Sequence, residues 1–502
     1  MKRSPAKILC AGAQQASWTV LLVVLTSALP FAGCVVGPKY RQPATPTAPA
    51  YKEMGDWKTA QPSDQNLGGN WWEIFQDPQL NALEKQIDVS NQNLKAAVAQ
   101  FQQARAALRY ARADYYPSIS AAPSAARERY SNNRPPPSSS NGITFNDFTL
   151  PIDLSYQSNA WGRVSRNVES YREQAQASAA DLAVVNLSMH ATLAIDYFAA
   201  RSLDAEEQLL EHTVAQYEKA LHLNEDLYRG GLASEVEVEQ ARTILKTTQA
   251  QLIDVRVARS QYEHAVGVLI GKPPANFSLP PLPLTAPPPP IPVGVPSELL
   301  ERRPDIAAAE RRVAAANAQA GLADAAYYPL VNIVASGGFD SGSITTLFQG
   351  PSAIWSVGPS ALVTIFDVGR RRAASDEAKA GYDFSVASYR ETVLTAFQQV
   401  EDDLAALRIL EQEAEVQTTA VQAAERSLAL SMTRYEGGVT SYLEVITAQN
   451  AALSDEVTAV NILGRRMASA VQLIEALGGG WDRSNLPPRP ECCGRLNVAK
   501  TD

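Results

Sequence analysis

Tyr228-Arg229-Gly230-Gly231-Leu232-Ala233-Ser234-Glu235-Val236-Glu237-Val238 returns 207 residues later (435 minus 228) as Tyr435-Glu436-Gly437-Gly438-Val439-Thr440-Ser441-Tyr442-Leu443-Glu444-Val445. Two further landmarks recur in the same order. Gly162-Arg163 comes back as Gly369-Arg370 at the same offset, and Tyr115-Tyr116-Pro117 as Tyr327-Tyr328-Pro329 at 212 (327 minus 115). Chance does not keep three landmarks in register, so the chain is read as two structural repeats.

Upstream of each Gly-Gly pair lies a helix of unusual length. Arg163 to Arg229 contains neither Gly nor Pro, and Arg370 to Glu436 only Gly381. Apolar residues such as Val164, Val168, Tyr171 and Ala175 recur at three- and four-residue steps, which keeps one helical face buried. At 1.5 Å per residue such a helix reaches roughly 100 Å. Downstream, Glu235 to Val266 and Tyr442 to Leu477 resume as helices. Ser234 and Ser441 stand where a side chain caps a helix start, and the glycines supply the left-handed backbone that ends the preceding helix. Each repeat therefore holds an antiparallel hairpin with a tight end.

Ahead of each long helix the chain changes character. Helical stretches from Leu80 to Asp114 and from Asp305 to Ala326 stop at the Tyr-Tyr-Pro landmark, because the residue before proline is pushed to extended geometry. Segments Ser118–Arg129, Asp147–Gln157, Leu330–Asp340 and Ile354–Phe366 follow, each about as long as a tilted membrane-crossing strand. Polar loops at 130–146 and 341–353 separate each pair. The landmark tyrosines fit either a membrane interface or plain packing at a junction. Four strands cannot close a barrel, and an open edge is not tolerated in lipid. The strands must be pooled between copies: two chains give eight and three give twelve.

Lys2, Arg3 and Lys7 precede an apolar run from Trp18 to Ala32, the pattern of a secretory leader and too short to span a bilayer. Ala32-Gly33-Cys34 resembles a bacterial lipobox, whose cysteine is acylated, with Phe31 where Leu is usual. Val35 behind it resembles lipoproteins sorted to the outer membrane. Of four cysteines, Cys10 falls in the leader, and the adjacent Cys492 and Cys493 sit in a tail expected to be unstructured, so no disulfide framework exists. A net charge of −9 excludes a nucleic-acid partner, since no basic surplus remains to neutralise phosphates.

No catalytic pattern emerges. His190, His212, His222 and His264 lie in the long helical stretches without an HExxH pattern, and are expected on helix surfaces. Gly338-Phe339-Asp340-Ser341-Gly342 puts Asp where a nucleophile elbow needs Ser. Gly267 to Pro273 has the wrong spacing for a P-loop. The chain is read as no enzyme, without metal or cofactor. A purely structural coiled-coil lipoprotein would leave the four strand-length segments without a use.

Cys34-Val35-Val36-Gly37-Pro38-Lys39-Tyr40-Arg41-Gln42-Pro43, Trp71-Trp72-Glu73-Ile74-Phe75-Gln76-Asp77-Pro78-Gln79-Leu80, Asn159-Ala160-Trp161-Gly162-Arg163, Pro296 to Ile306 and Ala476 to Trp481 together resemble the TolC/OprM-type outer-membrane efflux lipoproteins, also called the NodT family. The resemblance implies a mostly α fold with a transmembrane β portion. Long coiled hairpins and four strands per subunit then join a homotrimer with a twelve-stranded barrel in outer-membrane lipid. It divides the chain into a leader (1–33), a lipidated segment and equatorial region (34–78), repeat 1 (79–271), a proline-rich linker (272–297), repeat 2 (298–478) and a tail (479–502).

It further implies a passive exit duct in a tripartite efflux system, with a periplasmic adaptor (membrane fusion protein) and an inner-membrane pump of the resistance-nodulation-division class. The alternative is a type I protein-secretion duct. Cys34 would carry the lipid, palmitate included. Gly230, Gly231, Leu232, Ala233 and Ser234, with Gly437, Gly438, Val439, Thr440 and Ser441, would meet the adaptor. Glu225, Asp226 and Arg434 are gate candidates, although Ser431-Met432-Thr433-Arg434 lacks the carboxylates of the first repeat.

Overall fold

A computed structural model describes residues 35–45, 48–54, 69–133, 142–293 and 299–487. The leader, Cys34, Pro135 to Asn141 of the first polar loop, the linker stretch 294–298, and Cys492 with Cys493 lie outside the described residues.

Helix α1 (Pro78–Ser90) and α2 (Gln92–Ala113) precede strands β1 (Ser118–Ala121), β2 (Ser124–Arg129) and β3 (Thr144–Gln157). Long helix α3 (Arg163–Arg229) and its return α4 (Glu235–Leu269) complete the first half. The second half holds α5 (Leu299–Arg302), α6 (Pro304–Ala325), β4 (Leu330–Ser341), β5 (Ala353–Leu362), long helix α7 (Arg370–Glu436) and return α8 (Tyr442–Ala476). Both long helices have 67 residues and both returns 35, so the hairpins match in length as well as in sequence.

The chain forms two compact units, each assembled from interleaved stretches. Of the described residues, one unit comprises those up to Pro43, those in Gln103–Ala175 and those in Arg311–Ala387; the other comprises those in Ala44–Gln102, those in Gln176–Glu310 and those from Ser388 on.

The first unit carries one antiparallel sheet. β3 pairs β1 and β2 on one side and β4 on the other, and β4 pairs β5. The first expected segment is thus split in two. Its break falls at Ala122-Pro123, where proline has no N–H to give the ladder, while the Ala122 amide still reaches the Pro151 carbonyl at 3.4 Å. Other ends shift: β3 starts at Thr144 rather than Asp147, and β5 ends at Leu362 rather than Phe366. Gly338 lies in β4 opposite Pro151, and a Cβ there would fall 2.1 Å from the Leu150 carbonyl oxygen. Close backbone approach accounts for that glycine. Every residue of β5 except Gly358 is exposed, and Ile354, Trp355, Val357 and Leu362 present large apolar surface.

The same unit fixes the start of the described chain. Buried Arg166 donates to the carbonyls of Val36 (3.1 Å), Gly37 (3.2 Å) and Pro38 (3.0 Å), and pairs with Glu169 at 2.9 Å. Gly162 adopts φ +76 and would drive a Cβ to 2.9 Å from Val35, so both the turn and the contact require glycine. Trp161 donates its indole N–H to the Pro329 carbonyl at 2.9 Å and stacks on Tyr328. Tyr115 joins a cluster with Val164 and Val168, and Arg371 lies over Tyr327. Tyr116 remains 72% exposed, so the four landmark tyrosines do not share one environment.

In the second unit α1 and α2 are separate helices where one run was expected. The Asn91 side chain ends one and starts the next, donating to the Leu269 carbonyl at 2.7 Å and accepting from the Leu94 amide at 2.9 Å. Asp77 caps α1, accepting from the amides of Gln79 (2.8 Å) and Leu80 (3.1 Å) and from the Tyr197 hydroxyl (2.6 Å). Glu401 accepts the backbone amides of both Lys52 and Glu53, which straps that segment onto α7.

Candidate functional site

Each hairpin end is a Schellman turn. In the first, the Leu232 amide donates to the Leu227 carbonyl (2.8 Å) and the Gly231 amide to the Tyr228 carbonyl (2.9 Å), with Gly231 at φ +72. In the second, the Val439 amide reaches the Arg434 carbonyl and the Gly438 amide the Tyr435 carbonyl, both at 2.9 Å, with Gly438 at φ +70. This pattern satisfies helix carbonyls that a fraying end would leave open. Gly230 and Gly437 keep negative φ, so only the second glycine of each pair carries the left-handed turn.

The helix starts differ between repeats. Ser234 forms a capping box with Glu237, whose carboxylate accepts the Ser234 amide at 2.9 Å. Ser441 occupies the same position without a capping box, so the reciprocal arrangement is made in the first repeat only. Tyr442 stands where Glu235 stands in the first repeat and turns inward instead, fully buried. Leu232 at 80% and Val439 at 70% exposure place an apolar side chain on each end, beside the small residues Ala233 and Thr440.

The gate candidates do not meet one another. Glu225 faces Arg242 at 3.3 Å, Asp226 pairs with Arg229 at 2.7 Å, and Arg434 pairs with Glu444 at 3.3 Å. Each bond stays within one hairpin and links well-solvated groups, which contributes little stability.

What joins the two hairpins is a contact not anticipated from the sequence. The Tyr435 hydroxyl donates to Asn224 Oδ1 at 2.7 Å, and the Asn224 amide donates to the Ala220 carbonyl at 2.8 Å. Around them Ala220, Ala241, Tyr442 and Val445 form a buried cluster with Leu428, Met432 and Ile446 against it. Tyr435 is equivalent to Tyr228, which is 46% exposed. The repeat pattern alone does not reveal which tyrosine turns inward.

His190 corrects the expectation that all four histidines lie on helix surfaces. It is buried, with Nδ1 at 2.6 Å from Glu84, Nε2 at 3.3 Å from Asp88, and its ring stacked on Trp72. Burial pushes the Glu84 carboxyl up to about 7, opposed by the histidine. No nucleophile joins this group in its hydrogen bonds, and it fastens Trp72 to α1 and α3. His212, His222 and His264 are exposed. Among the described residues no set of three His, Cys, Asp or Glu side chains is arranged to hold a metal.

A family model described as outer membrane efflux protein matches residues 83–272 and 295–479. The chain is 32% identical over 465 residues to the probable efflux pump outer membrane protein TtgC of Pseudomonas putida, covering 92% of this chain and 96% of that one. It is 30% identical over 471 residues to outer membrane protein OprJ of Pseudomonas aeruginosa, covering 92% and 96%. Among solved structures, the outer-membrane channel OprN superposes with a TM-score of 0.83 at 28% identity, covering 89% of this chain and all of the other.

Proposed function

Because the chain belongs to the outer membrane efflux protein family and is an outer-membrane efflux channel rather than an enzyme, we propose that it is the passive exit duct of a tripartite system. A periplasmic adaptor and an inner-membrane pump of the resistance-nodulation-division class deliver small toxic compounds to it. Three copies pool their strands into a twelve-stranded barrel, and Cys34 carries a covalent lipid.

The observation that carries this reading is the sheet. Its outer strands β1/β2 and β5 each pair on one side only, and β5 is exposed on both faces. In lipid such edges must find partners, and further copies of the same sheet supply them. The pinning of Val36, Gly37 and Pro38 by Arg166 supports the lipid, since it holds the chain directly behind Cys34 on the sheet-bearing unit. The exposed hairpin ends at Gly230 to Ser234 and Gly437 to Ser441 are the adaptor contacts, and Glu225, Asp226 and Arg434 the gate.

Deletion of the gene is expected to sensitise the cell to a panel of detergents, dyes, solvents and antibiotics, with full recovery on complementation. Purified protein in planar bilayers is expected to conduct. Fatty-acid labelling is expected to disappear in Cys34→Ser. Unchanged sensitivity together with a silent bilayer would refute the duct, and labelling that survives Cys34→Ser would refute the anchor.

A further inference from the structure

A cavity of about 510 Å³ opens on the sheet-bearing unit, where the start of the described chain meets α6 and α7. Its size falls within the range of small-molecule sites, roughly 300–1000 Å³. Lys39 and Arg41 come from that first segment, Asn317 and Asp324 from α6, and Lys379 and Asp383 from α7. The backbone beneath the first two cations is fastened. Asn317 donates its amide to the Pro38 carbonyl at 3.2 Å, on which Arg166 also converges at 3.0 Å. Gly37 lies so close to α6 that a Cβ would fall 2.5 Å from the Gly321 Cα. Lys39 and Arg41 thus leave a segment already held in place, and ordering them around a ligand costs less than on a free tail.

These charges are not spent within the subunit. Lys39, Arg41, Lys379 and Asp383 form no ion pair among the described residues. Lys379 and Asp383 stand four residues apart on α7, a spacing at which opposite charges commonly pair. Arg372 and Asp376 do pair at that spacing on the same helix, at 4.0 Å. Asp324 accepts the neutral Ser375 hydroxyl at 3.1 Å. Three cations and two carboxylates therefore line one cavity without neutralising each other.

Height along the fold points to the occupant. Asp324 is the next-to-last residue of α6, and β4 begins at Leu330. Lys379 lies nine residues past the start of α7, about 14 Å along the helix. The headgroup layer on each side of a bilayer is about 5–8 Å thick, and long cationic side chains extend their charged ends toward it. Phosphate suits the cations. A headgroup carrying negative charge alone would meet Asp324 and Asp383 at a cost, whereas an ammonium would satisfy them.

We propose that this cavity binds the headgroup of an amine-bearing zwitterionic phospholipid, with the phosphate on Lys39, Arg41 and Lys379 and the ammonium on Asp383. The inference rests on the reading that the sheet crosses the outer membrane, which sets the cavity against the periplasm-facing leaflet. One bound lipid then ties the first segment, α6 and α7 together below the sheet.

Full-length protein in detergent is titrated calorimetrically with dihexanoyl phosphatidylethanolamine, dihexanoyl phosphatidylglycerol, inorganic phosphate and ethanolamine. The phosphatidylethanolamine lipid is expected to bind about tenfold more tightly than any of the other three. Its binding weakens as salt rises from about 0.05 M to about 0.3 M. Lys39→Gln/Lys379→Gln is expected to weaken it about tenfold. Asp383→Asn erases the preference over phosphatidylglycerol, and Lys219→Gln/Lys246→Gln, away from the cavity, changes nothing. Inorganic phosphate that binds as tightly as the phosphatidylethanolamine lipid would assign the cavity to a free anion and overturn the inference. Equal binding of the two lipids, or binding untouched by the Lys39 and Lys379 changes, overturns it as well.

Conductance in planar bilayers separates the site from the reading beneath it. A conducting protein without the lipid preference keeps the duct and loses the site. A silent protein that still prefers the amine-bearing lipid keeps the site and loses the duct.

Discussion

The Tyr435 hydroxyl and the Asn224 side chain meet at 2.7 Å, a hydrogen bond between residues 211 apart that ties the last turn of one long helix to a fully buried amide on the other. Tyr435→Phe keeps the ring in place and strips Asn224 Oδ1 of its donor. A buried acceptor left unsatisfied costs about 1–3 kcal/mol. The expected result is faster amide hydrogen exchange across Leu227 to Val236 and Arg434 to Leu443, with exchange in the sheet unchanged. Equal protection in the two proteins would show that the apolar cluster alone holds the hairpins together.

Neighbouring glycines in β4 should behave oppositely. A Cβ at Gly338 would fall 2.1 Å from the Leu150 carbonyl oxygen, whereas at Gly337 nothing lies within 4 Å. Gly338→Ala therefore forces β3 and β4 apart and is expected to remove the protein from the outer membrane, with complete loss of efflux. Gly337→Ala is expected to insert at normal levels. Fractionation and immunoblotting of the two variants side by side distinguish them, and similar amounts of both would contradict the register of that strand pair.

Asp77 does two jobs at the start of α1, capping the helix and accepting the hydroxyl of fully buried Tyr197. Loss of the cap costs about 1 kcal/mol, and the orphaned hydroxyl about 1–3 kcal/mol more. Asp77→Ala should lower the thermal transition of the detergent-solubilised protein clearly, while Asp77→Asn, which retains an acceptor at the cap, should lower it less. Identical transitions in the two variants would argue against the cap.

A pH dependence follows from Asp403. Burial, reinforced by Asp402 and Glu475 and opposed by Arg303, pushes its carboxyl up to about 7 from an ordinary 3.8. The folded chain then holds a proton that the unfolded chain has released, so stability falls as pH rises between those values. Asp403→Asn removes the cost of ionising there. It is expected to stabilise the protein by about 1 kcal/mol at pH 8, allowing for partial solvent screening, and by nothing near pH 4. Thermal transitions at both pH values test this, and a gain as large at pH 4 would assign the effect to packing.

Elements set by strong local chemistry were legible in the sequence. The matched hairpins, the Gly231 and Gly438 turns and the strand-bearing segments follow from glycine placement, helical periodicity and proline at helix ends. Subtler breaks were not. Asn91 ends one helix and starts another without any Gly or Pro nearby, because its amide finds Leu269, a residue 178 positions away. His190 reads as one more polar residue on a long helix until α1 brings Glu84 and Asp88 to its two nitrogens. The gate candidates Glu225, Asp226 and Arg434 came from the family resemblance, and in the single subunit each pairs with a counter-charge inside its own hairpin.

The sheet of β1 to β5, unpaired along both outer edges, makes gene dosage matter. If copies pool their strands as proposed, a lone subunit holding bare amides and carbonyls toward hydrocarbon has nowhere favourable to insert, and entry into the bilayer coincides with meeting its companions. Halving the supply of newly made chains then cuts the number of finished pores by more than half. A cell that makes this protein sparingly would cross from tolerance to sensitivity over a narrow range of expression.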